Sequence, residues 1–210
     1  GLELMNKMEE QVSSLGVEII AEEAVEIKRD SHFTVATEGE RYEAKMVILA
    51  MGTERRKLNV PGEKELLGKG VSYCATCDAA FFRNKTVAVI GGSDAAAKSA
   101  LLLAEYASKV YIVYRRTQIR AEPVTVEAVG KNDMIEIIYK TNIVEVKGDK
   151  VVEGVVLDNE YQGSNFLKLD GVFVEVGAEP NNKLARNLGV ELDKTGYINV
   201  DSMQKTNVGG

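Results

Sequence analysis

The sequence predicts an α/β protein in which a nucleotide-binding unit is set inside a second domain, and three observations carry that expectation. An apolar strand, Thr86-Val87-Ala88-Val89-Ile90, runs into the glycine turn Gly91-Gly92-Ser93-Asp94-Ala95-Ala96. A helical stretch and a second strand, Val110-Tyr111-Ile112-Val113-Tyr114, follow at βαβ spacing. On either side of this unit, Met46–Ala50 before Gly52 and Val172–Val176 before Gly177 finish in the same way. Two like strands flanking a βαβ unit read as one domain interrupted by another.

The elements follow in order. Leu4, Met5, Met8, Val12 and Leu15 recur at helical spacing, and Gly16 is placed to end that helix. Val17–Ala21 and Ala24–Lys28 read as short strands. Phe33, Val35 and Thr37 alternate, and Glu38-Gly39-Glu40 turns the chain back through Tyr42 and Ala44. The run Met46-Val47-Ile48-Leu49-Ala50 reads as a strand buried on both faces. Thr53–Lys69 is polar, contains Pro61-Gly62 and reads as a connector. The helix after the glycine turn spans about residues 95–106, capped by Ser93 or Asp94. From Ile135 to Val176 the pattern is short alternating strands, with hairpin turns at Lys147-Gly148-Asp149 and Gln162-Gly163-Ser164.

Composition narrows the function. The chain has 210 residues, 45% of them apolar, with a net charge of −6. No basic run exceeds Arg55-Arg56-Lys57, so nucleic acid and anionic membrane surfaces are not expected partners. Two cysteines in a chain of this size do not make a secreted disulfide scaffold, and a cytoplasmic redox pair fits better. The start at Gly1 and the stop at Val208-Gly209-Gly210 read as a segment of a longer protein.

Three motifs carry chemistry. In the glycine turn, Gly91, Ser93 and Ala96 hold the tight-turn, pyrophosphate-approach and helix-packing positions, so the second carries Ser in place of Gly. The alternative is a glycine-rich turn with no ligand. The second strand ends in Tyr114-Arg115-Arg116, with Arg120 beyond, where an NAD-binding protein would place an acid. Guanidinium groups there suit a 2′-phosphate and favour NADPH over a merely solvated basic loop. Cys74-Ala75-Thr76-Cys77-Asp78 places two thiols at redox spacing with an acid beside them. Inert buried cysteines and a metal site remain open alternatives, though His32 is the lone histidine and is remote in sequence. His32 itself, in an alternating strand, is expected to do no chemistry. Arg55-Arg56-Lys57 reads as a solvated face.

Taken together, Cys74–Asp78, Val89-Ile90-Gly91-Gly92, Tyr114-Arg115-Arg116 with Arg120-Ala121, and Val176-Gly177-Ala178-Glu179-Pro180-Asn181 resemble the low-molecular-weight, prokaryotic thioredoxin reductases over nearly the whole chain. The resemblance implies two Rossmann-like, three-layer domains, the NADPH domain inserted into an FAD domain. Residues 1–54 and 175–210 would belong to FAD, and 55–174 to NADPH and the dithiol, with hinges near 52–56 and 174–177. It implies a homodimer that reduces thioredoxin, with Cys77 meeting the flavin, Cys74 attacking the partner disulfide and Asp78 as acid/base. A related reductase serving a peroxiredoxin or glutaredoxin-like acceptor, and a non-catalytic nucleotide-binding module, are the rival readings. Cofactor contacts carried over are Gly91, Gly92, Ser93, Asp94, Ala95, Arg115, Arg116 and Arg120 for NADPH, and Ala50 and Gly52 for FAD. The chain departs from the family pattern at Met51, at Ala79, at Tyr114 and at Ser93, and it lacks the family's N-terminal glycine motif and C-terminal Gly-Asp motif.

Overall fold

The computed structural model describes residues 2–210. They form two compact units, one of residues up to Gly52 together with Pro180–Gly210, the other Thr53–Glu179. The chain therefore leaves the first unit and returns to it. The second edge lies beyond the expected boundary at 174/175 and keeps Glu175–Glu179 with the unit that begins at Thr53.

In the first unit, α1 (Leu2–Ser14) precedes the antiparallel sheet β1 (Ala24–Arg29), β2 (Phe33–Thr37) and β3 (Arg41–Ala44), in the order β1-β2-β3. The short α5 (Lys183–Asn187) packs on β1. Two expected strands are absent. Val17–Ala21 is irregular, and Met46–Ala50, expected to be buried on both faces, is an unpaired segment with Ile48 92% exposed. A strand exists only through its ladder of hydrogen bonds. Among the described residues, none pairs with 46–50 once β3 has ended at Ala44. His32 lies in the turn between β1 and β2 and not within a strand, its carbonyl accepting from the Asp30 N–H at 3.0 Å.

The second unit is a three-layer sandwich. It opens with β4 (Thr53–Arg55), the start of the expected connector, and closes with β13 (Ala178–Pro180), the two pairing as a short ribbon. Between them a sheet runs in the order β5-β12-β6-β7-β8, from β5 (Val71–Ser72), β12 (Gly171–Val174), β6 (Thr86–Ile90), β7 (Lys109–Tyr114) and β8 (Ile135–Tyr139). Every pairing in it is parallel. Residues 135–139 were expected to begin a series of hairpins. They join this sheet because Ile135–Tyr139 lies in register along Val110–Tyr114.

A parallel sheet is covered on both faces, and the alternation along β6 shows it. Val87 and Val89 face α3 (Asp94–Ala104) with Val110, Ile112 and Phe173. Ala88 and Ile90 face the other way, against Val155, Leu157 and Leu167. Those residues come from an antiparallel meander, β9 (Ile143–Lys147), β10 (Gly154–Tyr161) and β11 (Ser164–Lys168), turned at the two expected glycine-containing sites. Ala96, Ala97 and Ala100 are almost fully buried on the sheet side of α3, and their small side chains let the helix lie close to the strands. The remaining helices are α2 (Ala75–Asp78), followed by a 3-10 turn over Ala79–Phe82, and α4 (Pro123–Gly130). Among the described residues no helix is long and apolar enough to cross a membrane.

Candidate active site

The carboxyl ends of β6, β7 and β12 converge on a cavity of about 370 Å³, lined by Gly91, Gly92, Ser93, Arg115 and Arg120 among others. This is the crevice where ligands bind in open parallel sheets, because chain connections diverge to either side of the central strand. Gly91 has φ +142°, and a Cβ there would run into the carbonyl oxygen of Glu175. At Gly92 a Cβ would strike the Tyr114 ring. Both positions need hydrogen in place of a side chain, and the backbone is left bare toward the cavity. Ser93 caps α3, its Oγ accepting the Ala96 N–H at 3.4 Å. The turn thus brings side-chain-free backbone and the positive end of an 11-residue helix to the same place, which suits a pyrophosphate.

The arginines are less uniform. The Arg120 N–H donates to the Gly92 carbonyl at 2.6 Å, and its Nε donates to the Tyr114 hydroxyl at 3.1 Å. Arg120 is therefore pinned across the glycine turn, while Arg115 stands exposed at the cavity wall. Arg116, Asp94 and Ala95 do not line the cavity. The Asp94 carboxylate is occupied by Lys98 at 2.6 Å, whose hydrogen bond holds the acid below the usual carboxylate range. Ala50 and Gly52 belong to the other unit, where Asn181 donates through its backbone to the Gly52 carbonyl at 3.0 Å and through its amide to the Met51 carbonyl at 3.1 Å. That turn, with Gly52 at φ +64° and no atom within 4 Å of a would-be Cβ, presents open backbone that fits close approach by a ligand.

Sequence reasoning missed a buried acid at this cavity. Glu175 is 6% exposed, and its carboxylate accepts from the Ser99 hydroxyl at 2.8 Å and from Arg55 Nη1 at 3.2 Å. Arg55, Arg56 and Lys57 are all exposed, as a solvated face would be. Within that face Arg55 also pairs with Glu175, Arg56 pairs with Glu179 at 3.0 Å, and Arg56 and Lys57 border the cavity. Removing the hydroxyl in Ser99→Ala leaves one carboxylate oxygen of Glu175 buried without its donor. The expected cost is about 2 kcal/mol, read as a lower urea midpoint with an unchanged denaturant slope.

The dithiol lies in the same unit. Cys74 and Cys77 are joined in a disulfide, their Cα atoms 5.3 Å apart. Cys74 is the N-cap of α2, and its Sγ accepts the Cys77 N–H at 3.2 Å. Cys77 is exposed and Cys74 half-buried. Asp78 closes the same helical turn, and its carboxylate accepts from the Ser72 hydroxyl at 2.6 Å. Behind the pair, the half-buried Tyr73 donates to Glu63 at 2.7 Å, and Glu63 also accepts the N–H groups of Leu58 and Asn59. Burial, and then Glu63, push the Tyr73 phenol far above its ordinary range. A second cavity beside the disulfide is lined by Lys69, Ser72, Asp78, Lys85 and the 74%-exposed Phe81.

Residues 3–210 match the model of one family, described as pyridine nucleotide-disulphide oxidoreductase. The thioredoxin reductase of Peptoclostridium litorale is 42% identical over 219 residues, covering 100% of this chain and 69% of that protein. The chain belongs to this family, in its thioredoxin reductase branch. Solved thioredoxin reductases agree in shape. That of Lactococcus lactis superposes with a TM-score of 0.85 at 36% identity, covering 98% of this chain and 69% of that one. That of T. acidophilum does so with a TM-score of 0.79 at 38% identity, covering 89% and 62%. The chain thus spans about two thirds of the length of the reductases it matches.

Proposed function

We propose that this chain carries the nicotinamide-binding and disulfide-bearing parts of an NADPH-dependent thioredoxin reductase. The observation that carries the reading is a closed Cys74–Cys77 pair, with Asp78 beside it, in the same folded unit as a glycine cradle. Overall, NADPH and one proton reduce a disulfide to two thiols. Gly91–Ser93 and the start of α3 hold the pyrophosphate, and Arg115 with Arg120 reads the 2′-phosphate. FAD would be held at the open backbone of Ala50 and Gly52 and would supply the carrier for the electron pair between the nicotinamide and the disulfide. Cys77 accepts that pair, Cys74 attacks the disulfide of thioredoxin or a similar small redox protein, and Asp78 carries the proton. The acceptor docks beside Phe81. The family resemblance further supports a homodimer working in the cytoplasm, with 1–54 and 175–210 serving FAD and 55–174 serving NADPH.

The deciding experiment is the visible spectrum of the flavin-loaded protein under anaerobic NADPH. The flavin band bleaches and returns when oxidised thioredoxin is added. A flavin that NADPH leaves oxidised would sink the nicotinamide assignment. A bleached flavin that thioredoxin does not restore would sink the acceptor alone. Cofactor choice has its own test. Replacing Arg115 and Arg120 together by Ala is expected to raise KM for NADPH about 100-fold, the scale of losing charge-assisted phosphate contacts, and to leave KM for NADH within about threefold.

A further inference from the structure

Ser72 is a buried polar residue, 5% exposed, at the end of the edge strand β5. Its side chain is satisfied in an unusual way. The Oγ accepts the Cys74 N–H at 3.0 Å and donates to Asp78 Oδ2 at 2.6 Å, and the Cys74 carbonyl lies 3.4 Å away. A serine hydroxyl has one proton to give and two lone pairs to receive. With Asp78 ionised, the proton goes to the carboxylate and one lone pair takes the Cys74 N–H. With Asp78 protonated, the acid donates to the second lone pair, and the hydroxyl proton turns to the Cys74 carbonyl. Every polar atom keeps a partner in both states.

We propose that Ser72 is the positioning residue for the proton-carrying acid of the dithiol, supplying Asp78 with a partner in both protonation states and tying it to the backbone of Cys74. The proposal rests on the reading of Asp78 as acid/base given above. The electron pair of the dithiol goes to the partner disulfide, whose S–S bond breaks as Cys74 attaches to one sulfur. The other partner sulfur leaves as a thiolate and takes the proton from Asp78. The Cys77 thiol then returns a proton to Asp78 as it displaces the first sulfur and re-forms the Cys74–Cys77 bond, and that sulfur leaves as a thiolate that takes from solvent the proton Cys74 released on attack. Asp78 therefore passes through both states in each turnover. A partner in both states lets the acid change protonation without breaking its tie to Cys74.

The other charged groups lining the cavity around Asp78 are Lys69, Lys85 and Asp170. Lys69 donates to the Glu65 carbonyl, Lys85 lies over the Phe82 ring, and Asp170 accepts the Thr86 N–H. Ser72 is the side chain that hydrogen-bonds Asp78 among the described residues.

The test is the kinetics of thioredoxin reduction by the flavin-loaded protein. In Ser72→Ala kcat is expected to fall about tenfold, the scale of one lost hydrogen bond to a charged group, with KM for thioredoxin unchanged and NADPH still bleaching the flavin at the normal rate. The solvent deuterium isotope effect on kcat should rise, because proton transfer becomes limiting. Ser72→Thr, which keeps the hydroxyl, should bring both back, a rescue that a purely structural role would not give. An unchanged kcat in Ser72→Ala, or an equal loss in Ser72→Thr, overturns the proposal. If instead Ser72→Ala is slowed while Asp78→Asn reduces thioredoxin at the normal rate, the acid/base role of Asp78 falls, and with it this role for Ser72.

Discussion

Cys74→Ser abolishes thioredoxin reduction, lowering turnover by about three orders of magnitude or more, the scale of losing an essential nucleophile, while NADPH still bleaches the flavin. The separation follows from where the parts sit. Gly91, Gly92, Ser93, Arg115 and Arg120 meet at the ends of β6 and β7, and neither cysteine lines that cavity. Serine at 74 can still cap α2, since an oxygen there accepts the Cys77 N–H as the sulfur does now. The fold is therefore kept and the nucleophile lost. Stopped-flow absorbance under argon reads the two halves in one experiment. Turnover close to normal in Cys74→Ser would remove the dithiol from the mechanism. Loss of flavin bleaching in the same variant would mean that the cysteine and the nucleotide site are coupled in a way this structure does not contain.

What could be read in the sequence is what is local. Strand, glycine turn, helix and arginine-bearing strand follow one another within residues 86–120, and the spacing of Cys74 and Cys77 is itself the signal. Even the Ser72–Asp78 contact spans only six residues, yet it leaves no mark in the sequence because a serine before a dithiol has no pattern of its own. Glu175 was out of reach for a different reason. Its partners are 76 and 120 residues away, and a charged residue ending an apolar strand reads as exposed until the fold brings Ser99 and Arg55 to it. Met46–Ala50 failed in the opposite direction. An apolar run reports that burial would be favourable, not that a neighbouring strand is there to supply it, and among the described residues none pairs with it.

Gly91→Ala is the second large effect, and its size can be divided into two causes. Alanine at φ +142° is strained wherever it occurs, and here the new methyl would also overlap the Glu175 carbonyl oxygen. That oxygen is backbone, following directly on β12, and Glu175 N–H is itself bonded to the Ile90 carbonyl at 2.8 Å. It cannot swing aside as a long side chain would. The strain and the overlap together are expected to cost about 3 kcal/mol or more. Gly163→Ala isolates the first cause, because Gly163 has φ +82° but nothing within 4 Å of a would-be Cβ. That change should cost about 1 kcal/mol. Urea unfolding of both variants measures the difference, and NADPH titration of Gly91→Ala should show binding lost even where the protein remains folded, since the turn must open to admit the methyl. Equal losses in the two variants would mean that the Glu175 carbonyl does yield. The bare backbone at Gly91 would then be a matter of conformation alone and not of room for the dinucleotide.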